Sequence, residues 1–400
     1  MRLLHPDGTV VHLAYCTNVH PAEDLDGVLA QLARHAEPVR ERLGVPVLGL
    51  GLWLARDAAA ALAADDGAVA RLRRELTARR LEVVTLNGFP YRGFHDPVVK
   101  HAVYRPDWTT PERLHYTLDL ARVLAALLPD DAAHGSVSTV PLGWRTPWTA
   151  GQADEAARTL DSLAGGLATL AADTGRTIKV GLEPEPGCVV ETTAQAARHL
   201  ARVDTDRIGV CLDACHLAVG FEEPAAALAR LDAAGLQVVK TQASCALQAG
   251  DPADPATRAA LAAFTEPRFL HQVRESAPPQ ATSAGAPGTP PLAVDDLDAA
   301  LAGGLPGRAP WRVHFHVPLH ADPEPPLTTT RPELEATLAA LLGGDTARTA
   351  HVEAETYTWG VLPEGRRPRG PGALADGIAA ELAFTRDHLI SLGLKEVVAP

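Results

Sequence analysis

The sequence predicts an α/β fold, a (β/α)8 barrel with a large insertion late in the barrel. Short β-branched or apolar runs alternate with Ala/Leu/Arg segments of helical period, as expected of repeated βα units on a parallel sheet. The length of 400 residues suits one barrel domain over 1–400 with an insertion, and 46% hydrophobic residues suffice for a large core. Polar side chains collect where the later strands end, as they do at the open face of such barrels.

The predicted elements alternate along the chain. The strands are predicted at 12–17, 47–54, 81–86, 135–140, 178–183, 208–213, 238–242, 313–317 and 351–356. The helices are predicted near 23–43, 58–79, 111–128, 151–173, 192–202, 223–234, 331–342 and 373–391. These are nine strands where a barrel needs eight, so one strand is surplus.

The surplus strand falls between 238 and 317. We interpret about 245–310 as an insertion, because this part contains a segment near 276–293 that is rich in Pro, Gly, Ser and Thr. Such a segment cannot bury a face, and we expect it to be mobile. Either the strand at 238–242 or the one at 313–317 is then the seventh strand of the barrel.

Charge and hydropathy exclude several classes of protein. A net charge of −13 gives no positive field for phosphate backbones, so no nucleic-acid partner is expected. The longest nearly apolar stretch, 45–55, is too short to cross a bilayer, so membrane insertion is not expected. The N-terminus lacks the apolar core of a signal peptide, and the five cysteines are odd in number, which together predict a cytoplasmic protein with reduced thiols.

Four strand-like segments in the second half end in groups that bind metals. Glu183 and Asp213 each end an apolar strand, His314 and His316 share one strand face, and so do Glu353 and Glu355. Carboxylates and imidazoles that meet at one mouth would repel unless a cation lay between them. The sequence therefore predicts a divalent metal ion, which could be Mn, Mg, Co, Fe or Zn.

For some of these residues, the sequence allows two different roles. His316 and Glu355, nearer the strand ends, are favoured as ligands over His314 and Glu353. Lys240 is either an acid, base or oxyanion-orienting group beside the metal or the partner of a buried carboxylate. A zinc–thiolate site at Cys211 and Cys215 is less favoured, since no CxxC pair occurs.

The first half of the chain supplies amides, hydroxyls and aromatic rings at its strand ends. Asn18, His20, Asn87 and Trp144 follow predicted strands. Rings that stack on C–H faces and amides that pair with hydroxyls predict a wall for a small polyhydroxylated ligand. Ordinary capping of the βα loops is the alternative for each of them.

The segment 208–216, Ile-Gly-Val-Cys-Leu-Asp-Ala-Cys-His, resembles the sixth-strand signature of xylose isomerase-like TIM barrels. In that superfamily of sugar isomerases, epimerases, dehydratases and endonuclease IV, the last four strands bind a metal. The resemblance assigns the ligands to Glu183, Asp213, His316 and Glu355. Segments 15–21, 85–91, 103–108, 141–144 and 355–359 further resemble the EboE family, metabolite traffic proteins of bacterial ebo clusters, over almost the whole chain.

The resemblance implies a metal-dependent isomerase or epimerase for a sugar, cyclitol or sugar phosphate in a secondary-metabolite pathway. Glu183 and Glu355 would move protons through a metal-stabilised enediolate, while His216 and Lys240 orient or polarise the substrate oxygen. Asn18, His20, Asn87, Trp144, His314 and Glu353 would bind the substrate, and other ebo proteins are possible partners. The alternatives are a non-catalytic ligand-binding or scaffold protein and, least favoured, an endonuclease IV-like phosphodiesterase.

Overall fold

Eight parallel strands close into a barrel, which confirms the predicted fold class. The computed structural model describes residues 1–277, 290–370 and 372–397. The strands in these residues, β1 to β15 in chain order, are Arg2–Leu4, Val10–Cys16, Leu48–Trp53, Leu81–Asn87, Gly135–Thr139, Ile178–Leu182, Ile208–Asp213, Val238–Ala243, Leu247–Ala249, Val273–Glu275, Leu292–Val294, Trp311–Val313, Leu327–Thr329, His351–Ala354 and Lys395–Val397.

Helices follow the barrel strands and cover the outside of the barrel. The α-helices of the described residues, α1 to α13, are Leu25–Gln31, Glu37–Leu43, Arg56–Ala64, Asp66–Ala78, Pro111–Leu127, Ala150–Thr174, Thr193–His199, Ala214–Val219, Pro224–Ala233, Pro255–Ala262, Leu297–Ala299, Arg331–Leu342 and Ala373–Ser391. Side-chain hydrogen bonds to backbone amides determine where several of these helices begin. Thr149 and Gln152 form a capping box at α6, and the Asp213 side chain caps α8 by accepting from the His216 amide.

The barrel runs β2 to β8 in chain order and then β14, which returns to pair with β2. His351 lies opposite His12 and Glu353 opposite Ala14 in this closing pair. The short strands β1 and β15 extend the sheet antiparallel at β2. Because the barrel strands are covered on both faces, they are buried along nearly their whole length.

The strand at 238–243 is the seventh barrel strand, and the segment at 313–317 is outside the barrel. The strand found here is Trp311–Val313, which overlaps the predicted segment only at Val313, and it belongs to a second, antiparallel sheet of order β11-β10-β12-β9-β13. The strands of this sheet lie between Leu247 and Thr329. The part of the chain between β8 and α12, called the excursion below, therefore extends beyond the insertion end predicted at 310. Most of the predicted mobile segment near 276–293 lies outside the described residues.

In the described ranges, no helix combines the length and the apolar character that crossing a membrane would require.

Candidate metal centre and active site

A pocket opens at the carboxyl ends of the barrel strands, as expected for this architecture. Seven of the residues singled out from the sequence line it: Asn18, Asn87, Glu183, His216, His314, His316 and Glu355. Asp213 ends β7 beside them and is 1% exposed. The parallel register of the barrel brings together residues that are up to 337 positions apart in the chain, such as Asn18 and Glu355.

Three buried carboxylates converge in this pocket. Glu183, Asp213 and Glu355 each offer an oxygen, and these atoms all lie within 4.8 Å of one another. Burial raises the pKa of Glu183 to about 8, since the nearby His216 offsets the effect only in part and Asp213 adds to it. Burial, with Glu183 and Asp213 beside it, also raises the pKa of Glu355 well above its usual value. Three carboxylates this close need protons or a cation between them.

The hydrogen bonds around the carboxylates leave specific atoms free. Asp213 Oδ1 accepts from the His216 amide and from Ser244 Oγ, both at 2.8 Å. Glu355 Oε1 accepts from Asn18 Nδ2 at 2.7 Å and Asn87 Nδ2 at 2.9 Å. Asp213 Oδ2 and Glu183 Oε2 are buried without a partner in the described structure. Buried acceptors are rarely left without a partner, so each of these two oxygens is available to a proton or a cation.

His316 adds a nitrogen to this set. Its Nδ1 lies 2.8 Å from the Glu355 carbonyl and therefore donates, which leaves Nε2 as a bare acceptor. Nε2 is also buried without a partner among the described residues. Asp213, His216 and His316 offer a second group of ligand atoms within 4.8 Å. Glu183, Asp213, Glu355 and His316 thus fit a divalent cation bound by mixed oxygen and nitrogen ligands.

The excursion delivers His316, although the sequence suggested a barrel strand end. Its segment follows β12, and Val317 N donates to the Cys245 carbonyl at 2.9 Å just after β8. The seventh barrel strand itself ends at Ala243 without a metal-binding side chain. The insertion therefore completes the ligand set from outside the barrel.

His216 and His314 belong to a hydrogen-bonded network beside the carboxylates. Burial would lower the pKa of His216, but Asp213 and Glu185 outweigh it and raise the pKa. The protonated ring donates from Nδ1 to the Pro184 carbonyl at 2.9 Å and from Nε2 toward Glu185 at 3.0 Å. His314 Nε2 also lies 3.0 Å from His216 Nε2, so the single Nε2–H of His216 is shared between Glu185 and His314.

Tyr104 and Gln272 continue this network. Tyr104 donates to Glu185 at 3.0 Å and accepts from Gln272 Nε2 at 2.9 Å. The Gln272 oxygen accepts from His314 Nδ1 at 2.7 Å. Tyr104, Glu185 and Gln272 are not among the site residues that the sequence predicts. The sequence could have indicated Glu185, because its carboxylate lies in the turn two residues after Glu183. Nothing in the sequence indicates Gln272, which lies in the excursion.

Besides Asp213, which lies just beside the pocket, four predicted site residues do not line it. Lys240 and Glu353 form a fully buried ion pair inside the barrel, so the structure favours the partner interpretation of Lys240. Gly51 makes room for this pair, because a Cβ there would lie 1.4 Å from Glu353 Oε1. His20 bonds to the Tyr15 hydroxyl at 3.3 Å and stacks on His35. Trp144 packs against Tyr104 with ring centroids 4.8 Å apart, behind the pocket wall.

The structure does not bring Cys211 and Cys215 together as metal ligands, although Cys215 offers a sulfur within 4.8 Å of ring nitrogens of His314 and His316. Cys211 and Cys215 are buried, and no group of potential ligands in the described residues combines the two. Cys211 is instead packed in the barrel with no exposed surface.

Comparisons with known proteins agree with this architecture. A family model described as xylose isomerase-like TIM barrel matches residues 41–256. A protein from Anabaena variabilis classed as a sugar phosphate isomerase/epimerase aligns with a TM-score of 0.51 and 13% identity, over 96% of this chain and 99% of its own. D-allulose 3-epimerase from Methylomonas sp. aligns with a TM-score of 0.50 and 13% identity, over 97% and 99%. At such identities these structures show the fold alone. No curated protein matches the chain.

Proposed function

The chain belongs to the xylose isomerase-like TIM barrel family, and on that premise we propose that it is a metal-dependent isomerase or epimerase. Its substrate would be an α-hydroxy carbonyl compound of the sugar, sugar-phosphate or cyclitol kind. One observation carries the proposal: the unpartnered buried atoms Glu183 Oε2, Asp213 Oδ2 and His316 Nε2 belong to groups that meet in one pocket. A pocket with several buried acceptors and few donors suits a cation together with a hydroxylated substrate.

Glu183, Asp213, His316 and Glu355 would hold the ion. When bound, a divalent ion supplies Lewis-acid polarisation of a substrate oxygen. Mn, Mg, Co, Fe and Zn all suit this mixed set of carboxylates and imidazole. Asp213 is held from behind by Ser244 and the start of α8, which fixes the direction of its free oxygen.

Glu183 and Glu355 are the proposed acid and base. They come from β6 and from the end of β14, and their separation within 4.8 Å allows both to reach one substrate carbon. Asn18 and Asn87 hold Glu355 Oε1, which leaves Oε2 without an amide donor and able to accept a proton. His216, protonated against Glu185, would place a positive charge near the substrate oxygen and offset charge that develops there.

Elemental analysis of the purified protein tests the cation directly. We expect about one divalent ion per chain in the native protein. The Asp213→Ala variant should lose most of it, because the substitution removes Asp213 Oδ2, an oxygen that has no other partner in the described part of the chain. Asp173→Ala, at an exposed position in α6, is the matched control and should keep the ion. A native protein without a stoichiometric ion would refute the proposal.

Proton exchange tests the reaction. Ketoses, cyclitol ketones and their phosphates are incubated with the loaded protein in D2O, and deuterium at the carbon next to the carbonyl is followed by NMR. Glu355→Gln should lose exchange while keeping ligand binding, and the exposed Glu41→Gln should keep both. Saturable binding without exchange in any substrate would favour the non-catalytic ligand-binding alternative.

The pathway is also a proposal. The resemblance to EboE leads us to propose a role in secondary metabolism, in the cytoplasm and together with other ebo proteins. An endonuclease IV-like activity is not favoured, because the net charge of −13 repels a nucleic-acid backbone. Failure to cut abasic DNA is therefore expected.

A further inference from the structure

The free polar atoms of the pocket all lie at its metal end. Among the described residues, the unpartnered buried atoms of the pocket are Asn18 Oδ1, Glu183 Oε2 and His316 Nε2, with Asp213 Oδ2 beside them. Each of them is an acceptor. They can serve a cation and one or two substrate hydroxyls, and they are confined to the region where β2, β6 and β7 end.

The opposite wall of the pocket is apolar and aromatic. The rings of Phe94, Phe269 and Tyr357 pack together with centroids 5.0 to 5.4 Å apart. Tyr357 also lies against His316, at 4.8 Å, so the aromatic wall begins directly at the metal end. Phe89 and Leu270 extend the wall. Such a surface stabilises an apolar group, and among these three rings only Tyr357 carries a hydroxyl that a substrate could bond.

Apart from Tyr357, three polar side chains near this wall, those of Lys100, Tyr104 and Asn87, already have partners. Lys100 pairs with Asp296 at 2.5 Å. The Tyr104 hydroxyl is used by Glu185 and Gln272. Asn87 donates to Glu355, and its oxygen accepts from the Phe89 amide at 3.0 Å. A polyhydroxylated chain would therefore leave hydroxyls unpaired against the wall, at a cost of about tenfold in affinity for each.

The wall is held in place by two segments that bond to each other. Phe89 and Phe94 lie in the loop after β4, whereas Phe269 and Leu270 lie in the excursion before β10. The Arg268 carbonyl accepts from the amides of Val99 and Lys100 at 2.7 and 2.8 Å, which joins the two segments. The excursion thus supplies both His316 and part of the apolar wall.

We propose that the substrate joins a head of two adjacent oxygens to an apolar, ring-sized body. The head would meet the free acceptors and the ion, and the body would lie against Phe94, Phe269 and Tyr357. The cavity volume is about 50 Å³, so a ring-sized body would lie along the aromatic wall toward solvent and would not be enclosed. This inference rests on the proposed function of the site, and it narrows the proposed α-hydroxy carbonyl substrates to those whose two-oxygen head carries an apolar body, in place of the small polyhydroxylated ligand expected from the sequence.

Three hydroxamates that share the same chelating head but carry different bodies test whether the pocket prefers an apolar body. Calorimetric titration of the Mn²⁺-loaded protein compares acetohydroxamate, benzohydroxamate and threonohydroxamate. We expect benzohydroxamate to bind at least about tenfold more tightly than acetohydroxamate, and threonohydroxamate to bind no more tightly than acetohydroxamate. Phe269→Asn should remove the preference for the phenyl group while leaving acetohydroxamate affinity and Mn²⁺ content unchanged. Phe94→Asn replaces it if Phe269→Asn does not fold, and the distant Phe384→Asn is the control.

A second experiment tests the aromatic wall in the absence of a metal ion. Saturation-transfer NMR on the metal-free protein compares benzyl alcohol with glycerol, and only benzyl alcohol should receive saturation, with loss of the signal in Phe269→Asn. If the protein holds no ion or exchanges no proton but binds benzyl alcohol in this way, the proposed function fails and the inference stands. If ion and exchange are found but threonohydroxamate binds most tightly, or benzyl alcohol gives no signal, the inference is overturned and the proposed function stands.

Discussion

The Lys240–Glu353 pair gives the sharpest test of how the barrel interior supports the site. Both side chains are fully buried, Lys240 contacts Glu353 Oε2, and Glu353 Oε1 has no partner among the described residues. Burial would lower the pKa of Lys240, but Glu353 beside it outweighs burial and raises the pKa. Lys240→Met therefore leaves an uncompensated carboxylate in the barrel, and we expect a loss of about 3 to 5 kcal/mol in the free energy of unfolding.

The double variant Lys240→Met/Glu353→Gln removes both charges. Replacing a buried ion pair by neutral groups of similar volume is often close to neutral in stability, so most of the loss should be recovered. The interaction energy between the two sites should reach at least about 2 kcal/mol in a double-mutant cycle. Urea-induced unfolding, followed by circular dichroism at one fixed Mn²⁺ concentration, measures all four proteins.

Two results would refute this reasoning. A loss below about 1 kcal/mol in Lys240→Met would show that the carboxylate is compensated without the lysine. Loss of proton exchange in the double variant, with metal content and stability intact, would instead restore Lys240 as a residue that acts on the substrate.

Three further predictions concern the site and the thiols. The metal-free protein should lose stability as pH rises from about 4.5 to 8. The pKa of Glu183 is raised to about 8 in the folded protein, so in this range the folded state binds more protons than the unfolded state. The stabilisation that protonated Glu183 provides is complete below the pKa of the unfolded state and is lost above the pKa of the folded state. Thermal unfolding measures this, and saturating Mn²⁺ should reverse the trend because the ion competes with protons; a flat profile would contradict it. Asn87→Ala should lower turnover about tenfold at unchanged metal content, because Glu355 loses one of two amide donors, and unchanged turnover would show that the bond does not position Glu355. All five cysteines are free and buried, so Ellman's reagent should react with them only after unfolding, and rapid labelling of the native protein would disprove that burial.

The barrel and most of the residues that meet at the candidate metal centre could be predicted from the amino-acid sequence. Alternation of period two and 3.6 fixed the element types, and the strand ends placed Glu183, Asp213 and Glu355 at one mouth because parallel strands present their carboxyl ends together. The surplus strand could not be assigned in this way. The segments at 238–242 and 313–317 have similar local patterns, and pairing with β7 and β14 is a property of the assembled sheet.

The sequence by itself determined which chemical groups this protein brings to the barrel mouth, since each follows a strand and a turn that its own neighbours specify. Only the tertiary structure decided which of them face the pocket. Lys240 and Glu353 became internal partners across 113 residues, while Glu185, Gln272 and the aromatic wall gained their roles through contacts with the excursion. Such contacts depend on the closure of the barrel and on the path of a long insertion, and no local periodicity encodes either of them.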